Sequence, residues 1–218
     1  MTRARPVFLW VGIVLLVFIA FFAVGKRISI DLPSLTAGTL PPDPFDHRYV
    51  LHPAISYLHI LPGIVYLLGA PFQLSRRFRT RHLAIHRRMG RVVWAAGLIS
   101  GLFAILFGAV FAFGGFFEAS ATVVFALYFI AALVIAIRGI KARDVTRHRR
   151  WMIRAFAIGL AIGTIRIWLA LFPALGIFAF EDSFGPAFWL SFTLHALVAE
   201  AYLAWRPLAS GGRPVPAT

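Results

Sequence analysis

The sequence predicts an all-α membrane protein, a polytopic bundle of six transmembrane helices. Three observations carry that prediction. Of the 218 residues, 60% are hydrophobic and only 14% are charged, whereas ordinary soluble domains run about 45–50% apolar and about 25% charged. The apolar residues gather into six stretches long enough to cross a hydrocarbon core of about 30 Å, which takes about 17–25 helical residues. The cations, 22 Lys and Arg against 8 Asp and Glu, gather at the ends of those stretches rather than along them.

In chain order the stretches are 7–24, 54–74, 92–115, 119–137, 155–171 and 187–205. The first follows Arg3 and Arg5. It exceeds the apolar core of a signal peptide, about 7–15 residues, and no A-x-A site follows it, so it is expected to be a retained helix. It carries no polar residue inside the membrane and is expected at the periphery of the bundle. Residues 25–51 contain Pro33, Pro41, Pro42 and Pro44 and are expected to form an irregular external loop. The core is expected over 52–206, and the tail 207–218, with Ser210-Gly211-Gly212, is expected to be disordered.

Orientation follows from Lys and Arg in short connections, which favour the cytoplasmic side. The connection between the second and third stretches holds Arg76, Arg77, Arg79, Arg81, Arg87, Arg88 and Arg91. The one between the fourth and fifth holds Arg138, Lys141, Arg143, Arg147, Arg149, Arg150 and Arg154, with Asp144 as the single acid. Opposite connections carry Lys26, Arg27 and Arg48 but also Asp31, Asp43, Asp46, Glu118, Glu181 and Asp182. Both termini are therefore expected in the cytoplasm. The net charge of +14 then reads as a topology signal and a belt for anionic headgroups, where each nearby cation contributes about 1 kcal/mol. Nucleic acid is not an expected partner.

The chain also repeats itself. At an offset of 62, Arg76, Arg79, Arg81, His86, Arg87 and Arg88 fall on Arg138, Lys141, Arg143, His148, Arg149 and Arg150. Gly97 and Gly101 fall on Gly159 and Gly163. The second and third helices are thus expected as a tandem copy of the fourth and fifth. Because small residues four apart let helices approach in lipid, the third and fifth are expected to pack as a close central pair.

Polar groups inside a bilayer are costly and normally face protein. In the second stretch His52, His59, Tyr66 and Gln73 recur every seven residues and share one face; Pro62 beside His59 removes a backbone donor and leaves room for a cavity. At about 1.5 Å per residue, His59, Arg166 and His195 lie at one depth, about 9–12 Å below the outer boundary. Three readings fit them: a b-type haem with His59 and His195 as axial ligands and Arg166 on a propionate, a proton, ion or small-solute site, or polar packing that stabilises the bundle. Trp168 and Trp189 would flank the layer. Glu200, the one acid well inside a helix, needs a cation, and Arg154 is the best-placed partner. The boxes His86-Arg87-Arg88 and His148-Arg149-Arg150 open helices with guanidinium forks and suit phosphate oxygens of lipid or another anion. Adjacent arginines disfavour a divalent metal there, and no metal site is expected.

The blocks HILPGIVYLLGAPFQLSRRFR (59–79), HRRMGRV (86–92) and HRRWMIRAFA (148–157), with Arg166-Ile167-Trp168 after them, resemble an uncharacterised bacterial membrane family, domain of unknown function 2306. The likeness runs from about Leu51 to Glu200 and marks His59, Gln73, His86, Arg87, His148, Arg149, Trp151, Met152, Arg154 and Arg166. It implies a multi-pass protein of a bacterial inner membrane, and no catalytic role comes with it.

Enzyme chemistry has little foothold. The absence of cysteine removes disulfides, thiolate metal sites and thiol nucleophiles. There is no Walker lysine loop, no H-E-x-x-H and no G-x-S-x-G. The expected function is a non-enzymatic binding or structural membrane protein, with a haem electron carrier or a small-solute transporter as alternatives.

Overall fold

The computed structural model describes residues 4–205; the expected disordered tail lies outside them. Helix α1 spans Ala4–Ala37, α2 Pro44–Leu51, α3 Pro53–Leu74, α4 Arg76–Arg81, α5 Leu83–Val110, α6 Gly115–Lys141, α7 Val145–Ala174 and α8 Phe184–Trp205, with a 3-10 turn at Glu181–Ser183 before the last. Among the described residues six helices are long and apolar enough to cross a membrane. The protein is an all-α six-helix membrane bundle.

Local chemistry sets the boundaries. Asp43 accepts the Phe45 N–H at 2.9 Å and Pro44 opens α2, while Asp144 accepts the Arg147 N–H at 2.8 Å at the start of α7; both satisfy donors that a helix start leaves open. Helix α7 ends on Gly176 at φ 67°, with the Ile177 N–H bonded to the Phe172 carbonyl at 3.0 Å, a left-handed C-terminal motif that glycine adopts without steric cost. Helix α6 ends the same way on Arg143 at φ 59°, with the Asp144 N–H on the Gly139 carbonyl at 2.8 Å. A side chain there costs about 1–2 kcal/mol, and the extra unfolded-state freedom of glycine offsets about 0.4–1 kcal/mol. Arg143→Gly is therefore expected to raise the thermal midpoint of the detergent-solubilised protein slightly; a lowered midpoint would refute this account of the turn.

The segment expected as an irregular loop is largely helical, which corrects that expectation. Helix α1 runs through Pro33 to Ala37. The lost backbone donor is offset by tertiary bonds around Asp31, which is fully buried and accepts from Arg27 and from the Tyr57 hydroxyl, both at 3.0 Å. Beyond Pro33, Ser34 and Thr36 donate back to the carbonyls of Ile30 and Leu32, at 3.2 and 3.0 Å. Helix α3 likewise continues through Pro62 and Pro71.

Helix α1 lies at the periphery, as expected, with most of its apolar stretch facing outward, yet it is firmly seated. It packs along α7, and the fit is tight: a Cβ on Gly163 would lie 2.5 Å from the Leu16 carbonyl oxygen. The expected close pairing of the third and fifth spans, α5 and α7, does not form. Their glycines instead make room for side chains: a Cβ on Gly97 or Gly159 would lie 2.8 Å from the Tyr66 ring, and one on Gly101 would lie 3.1 Å from Phe129 and Ile130. Tyr66 of α3 is thus wedged between the two helices, edge-on to Phe129 at 5.1 Å. The close neighbours are α3 with α5, α5 with α6, and α6 with α7, and α8 packs on α6 and α7. Around Tyr66 the core contains Val93, Leu133, Phe156 and Ile158. A second core, Ile165, Leu169, Phe172 and Phe184, fills the end of the bundle under α2.

Candidate functional site

A cavity of about 560 Å³ runs inside the bundle from α2 to Tyr66. Its walls come from α1, α2, α3, α5, α6, α7 and α8. At the α2 end it is framed by ion pairs. Arg27 bonds to Asp31 and Asp46, Arg48 lies 3.6 Å from Glu118 and donates to the Phe111 carbonyl at 2.7 Å, and Glu118 also accepts the Gly114 N–H at 2.7 Å. Aromatic rings hold the two arginines: Arg27 sits 4.1 Å over Tyr49 and Arg48 4.6 Å over Phe45, the arrangement in which a ring face attracts a cation. Phe45 in turn meets Phe113 and Phe184, at 5.1 and 5.4 Å.

His59 and Arg166 both line this cavity. The imidazole is fixed by α5: its Nδ1 lies 3.0 Å from the Ser100 carbonyl, and the Ser100 hydroxyl donates to the His59 carbonyl at 2.8 Å. Arg166 has no carboxylate within 4 Å among the described residues. Four buried polar atoms on the cavity wall lack a hydrogen-bond partner: Arg48 Nε, Tyr66 Oη, Thr122 Oγ1 and Arg166 Nε. Buried polar groups are normally paired, so this concentration in one chamber is its main chemical feature.

His195, expected beside His59, is elsewhere. It is buried against α7, with Nε2 2.8 Å from the Thr164 hydroxyl, and it does not line the cavity. Helices α3 and α8 are not neighbours, so the structure does not bring the two histidines together. Equal depth placed them in one layer but left their rotation about the bundle axis open. Trp168 and Trp189 stack or abut on Phe172 and Phe125, at 5.2 and 5.6 Å, outside the cavity wall. Among the described residues no group of three or more His, Asp or Glu is placed to hold a metal ion.

The remaining sequence-derived residues divide between two places. Arg154 grips Glu200 through Nε and Nη2, at 2.6 and 2.8 Å, a two-point contact that suits a carboxylate. At the arginine-rich end, His148 Nδ1 is 3.0 Å from the Ala136 carbonyl, while His86 Nδ1 and Gln73 Nε2 are buried without a partner. Burial and the nearby Arg149 and Arg76 hold the Arg79 guanidinium below its ordinary pKa. Arg87, Arg88 and Arg150 have no ion pair there among the described residues.

Sequence reasoning missed Arg27, Asp31, Asp46, Arg48, Glu118 and Thr122 as site residues. Arg27 and Asp31 did carry a signal, the i, i+4 spacing of an ion pair on a helix. Glu118 lay one residue outside the expected fourth span.

A family model described as "Predicted membrane protein (DUF2306)" matches residues 56–203, from within α3 to near the end of α8. No curated protein and no solved structure matches the chain. With that match over more than half of the chain, the chain belongs to the DUF2306 family of uncharacterised membrane proteins.

Proposed function

We propose that this multi-pass protein is a non-enzymatic membrane binding protein whose ligand occupies the internal cavity between α2 and Tyr66. The observation that carries the reading is that four unpartnered buried polar atoms, from four helices, line one cavity of about 560 Å³ whose walls are otherwise mostly apolar. Ligand sites are typically chambers of about 300–1,000 Å³ with mostly apolar walls and a few convergent polar groups. His59, Tyr66 and Arg166 supply those groups from the interior and Arg48 from the α2 end. His195, Arg154 and Glu200 serve packing and pairing instead.

Native mass spectrometry of protein extracted in mild detergent tests this. Wild type is expected to retain a non-protein mass that Ala104→Trp, which fills the cavity from α5, releases; retention of the same mass by a folded Ala104→Trp protein would reject the cavity as the site.

The second surface is the arginine-rich end, for which the charge bias of the connections supports a cytoplasmic location. Helices α5 and α7 begin at Leu83 and Val145, the spacing at which the His-Arg-Arg boxes recur, which supports a duplicated helical hairpin. The unpartnered His86 Nδ1 and Gln73 Nε2 beside so many cations favour an anion, and in a membrane the abundant anion is a lipid headgroup. Replacing Arg87 and Arg149 together with glutamine is expected to weaken retention of anionic over zwitterionic lipid about thirtyfold, two cations at about 1 kcal/mol each. Equal retention by variant and wild type would refute the headgroup role.

A further inference from the structure

We propose that the cavity's ligand is an amphipathic anion, a molecule with a negatively charged, oxygen-rich head at Arg166 and an apolar body along the inner wall. This rests on the cavity being a ligand site and adds the ligand's charge and shape.

Charge comes first. Each of the other arginines buried in the bundle has its carboxylate: Arg27 has Asp31 and Asp46, and Arg48 has Glu118. Arg166 has none within 4 Å among the described residues, and its Nε is buried without an acceptor. A cation held in a membrane interior is expensive unless paired, and arginine's planar fork is suited to carboxylate and phosphate oxygens. The other unpartnered atoms point to the same ligand chemistry. Arg48 Nε can only donate, and the hydroxyls of Tyr66 and Thr122 can donate. The carboxylates at the cavity's edge are already engaged, Glu118 by Arg48 and the Gly114 N–H, Asp46 by Arg27, and Asp43 by the Phe45 N–H at the start of α2. The wall therefore offers donors, and the ligand must bring acceptors.

Shape follows from the rest of the wall. Phe21, Ile64, Leu67, Phe129, Ile158 and Phe192 face the same space. A small hydrated anion would leave these side chains uncovered, and an uncharged lipid would leave Arg166 uncompensated. A single-chain molecule with a carboxylate or phosphate head satisfies both halves.

The test compares three probes on purified protein in detergent: oleate, the monoacyl phosphate of the same chain, and oleyl alcohol. Saturable binding of oleate or of the phosphate at least tenfold tighter than of the alcohol is expected, and whichever anion is preferred identifies the head. Arg166→Gln is expected to remove that preference, the anions falling to the affinity of the alcohol in the same variant, and Arg166→Lys to restore part of it. Alcohol binding as tight as both anions, or an unchanged preference in a folded Arg166→Gln protein, would overturn the anionic head while the cavity site stands. Failure of all three probes to bind would overturn both.

Discussion

Glu118→Leu is expected to destabilise the protein by about 3–5 kcal/mol, the usual result of removing one partner from a buried ion pair. Glu118 is 3% exposed and stands 3.6 Å from Arg48. Its removal leaves that guanidinium among Phe45, Tyr49 and Phe107 with the Phe111 carbonyl as its remaining acceptor. It also frees the Gly114 N–H at the start of α6. The double replacement Glu118→Leu with Arg48→Met removes the orphaned charge and is expected to recover much of the loss, because a packed apolar pair can match a buried ionic one. Chemical denaturation of all three proteins in one detergent gives the comparison. A single variant within 1 kcal/mol of wild type would show that the pair is hydrated and energetically minor.

The second large effect is expected at Gly163. A Cβ there would lie 2.5 Å from the backbone oxygen of Leu16, and backbone cannot rotate out of the way as a side chain can. Gly163→Val should push α1 off α7 and cost about 1–3 kcal/mol or more, the range for overpacking a close contact. Because α1 carries Arg27 and part of the cavity wall, the same variant should also loosen ligand retention. Gly12 offers the control, since a side chain there meets nothing within 4 Å. Gly12→Val should leave both stability and retention near wild type. Matching behaviour of the two variants would mean that α1 does not seat on α7 as described.

These two sites show where the sequence was legible and where it was not. The six spans could be read directly, since a bilayer demands about 20 apolar residues per crossing and tolerates few alternatives to a helix. Their ends could not, because nothing requires a helix to stop at the hydrocarbon boundary: α1 continues through Pro33 on the strength of bonds to Asp31. The prolines signalled a break, and tertiary pairing overrode them. The glycines at 97, 101, 159 and 163 correctly marked close approach, but small residues admit whatever is nearby. Here that is the Tyr66 ring, Phe129 and the backbone of α1 rather than each other.

The candidate site was half legible for a related reason. Depth along a helix follows from counting residues, so His59 and Arg166 were placed at one level and do share the cavity. Which helices are neighbours does not follow from counting, and His195 proved to face Thr164 instead. The Arg48–Glu118 and Arg27–Asp46 pairs join residues far apart in sequence, and no local pattern announces them. All four residues lie on α1, α2 or the first turn of α6, in segments first taken for connections. Helices α1 and α2 also precede the residues matched by the family model, so one end of the cavity is built from chain outside that match.

The central claim, that the chamber beside Arg166 is where ligand resides, is tested most directly by photocrosslinking with a fatty acid bearing a diazirine in its chain, followed by peptide mapping. Adducts are predicted at cavity residues such as Ile64, Leu67, Phe129 and Ile158, competed away by excess oleate and lost in Ala104→Trp. Adducts confined to outward-facing residues such as Leu102, Leu106, Leu127 and Leu197, insensitive to competitor, would contradict the account.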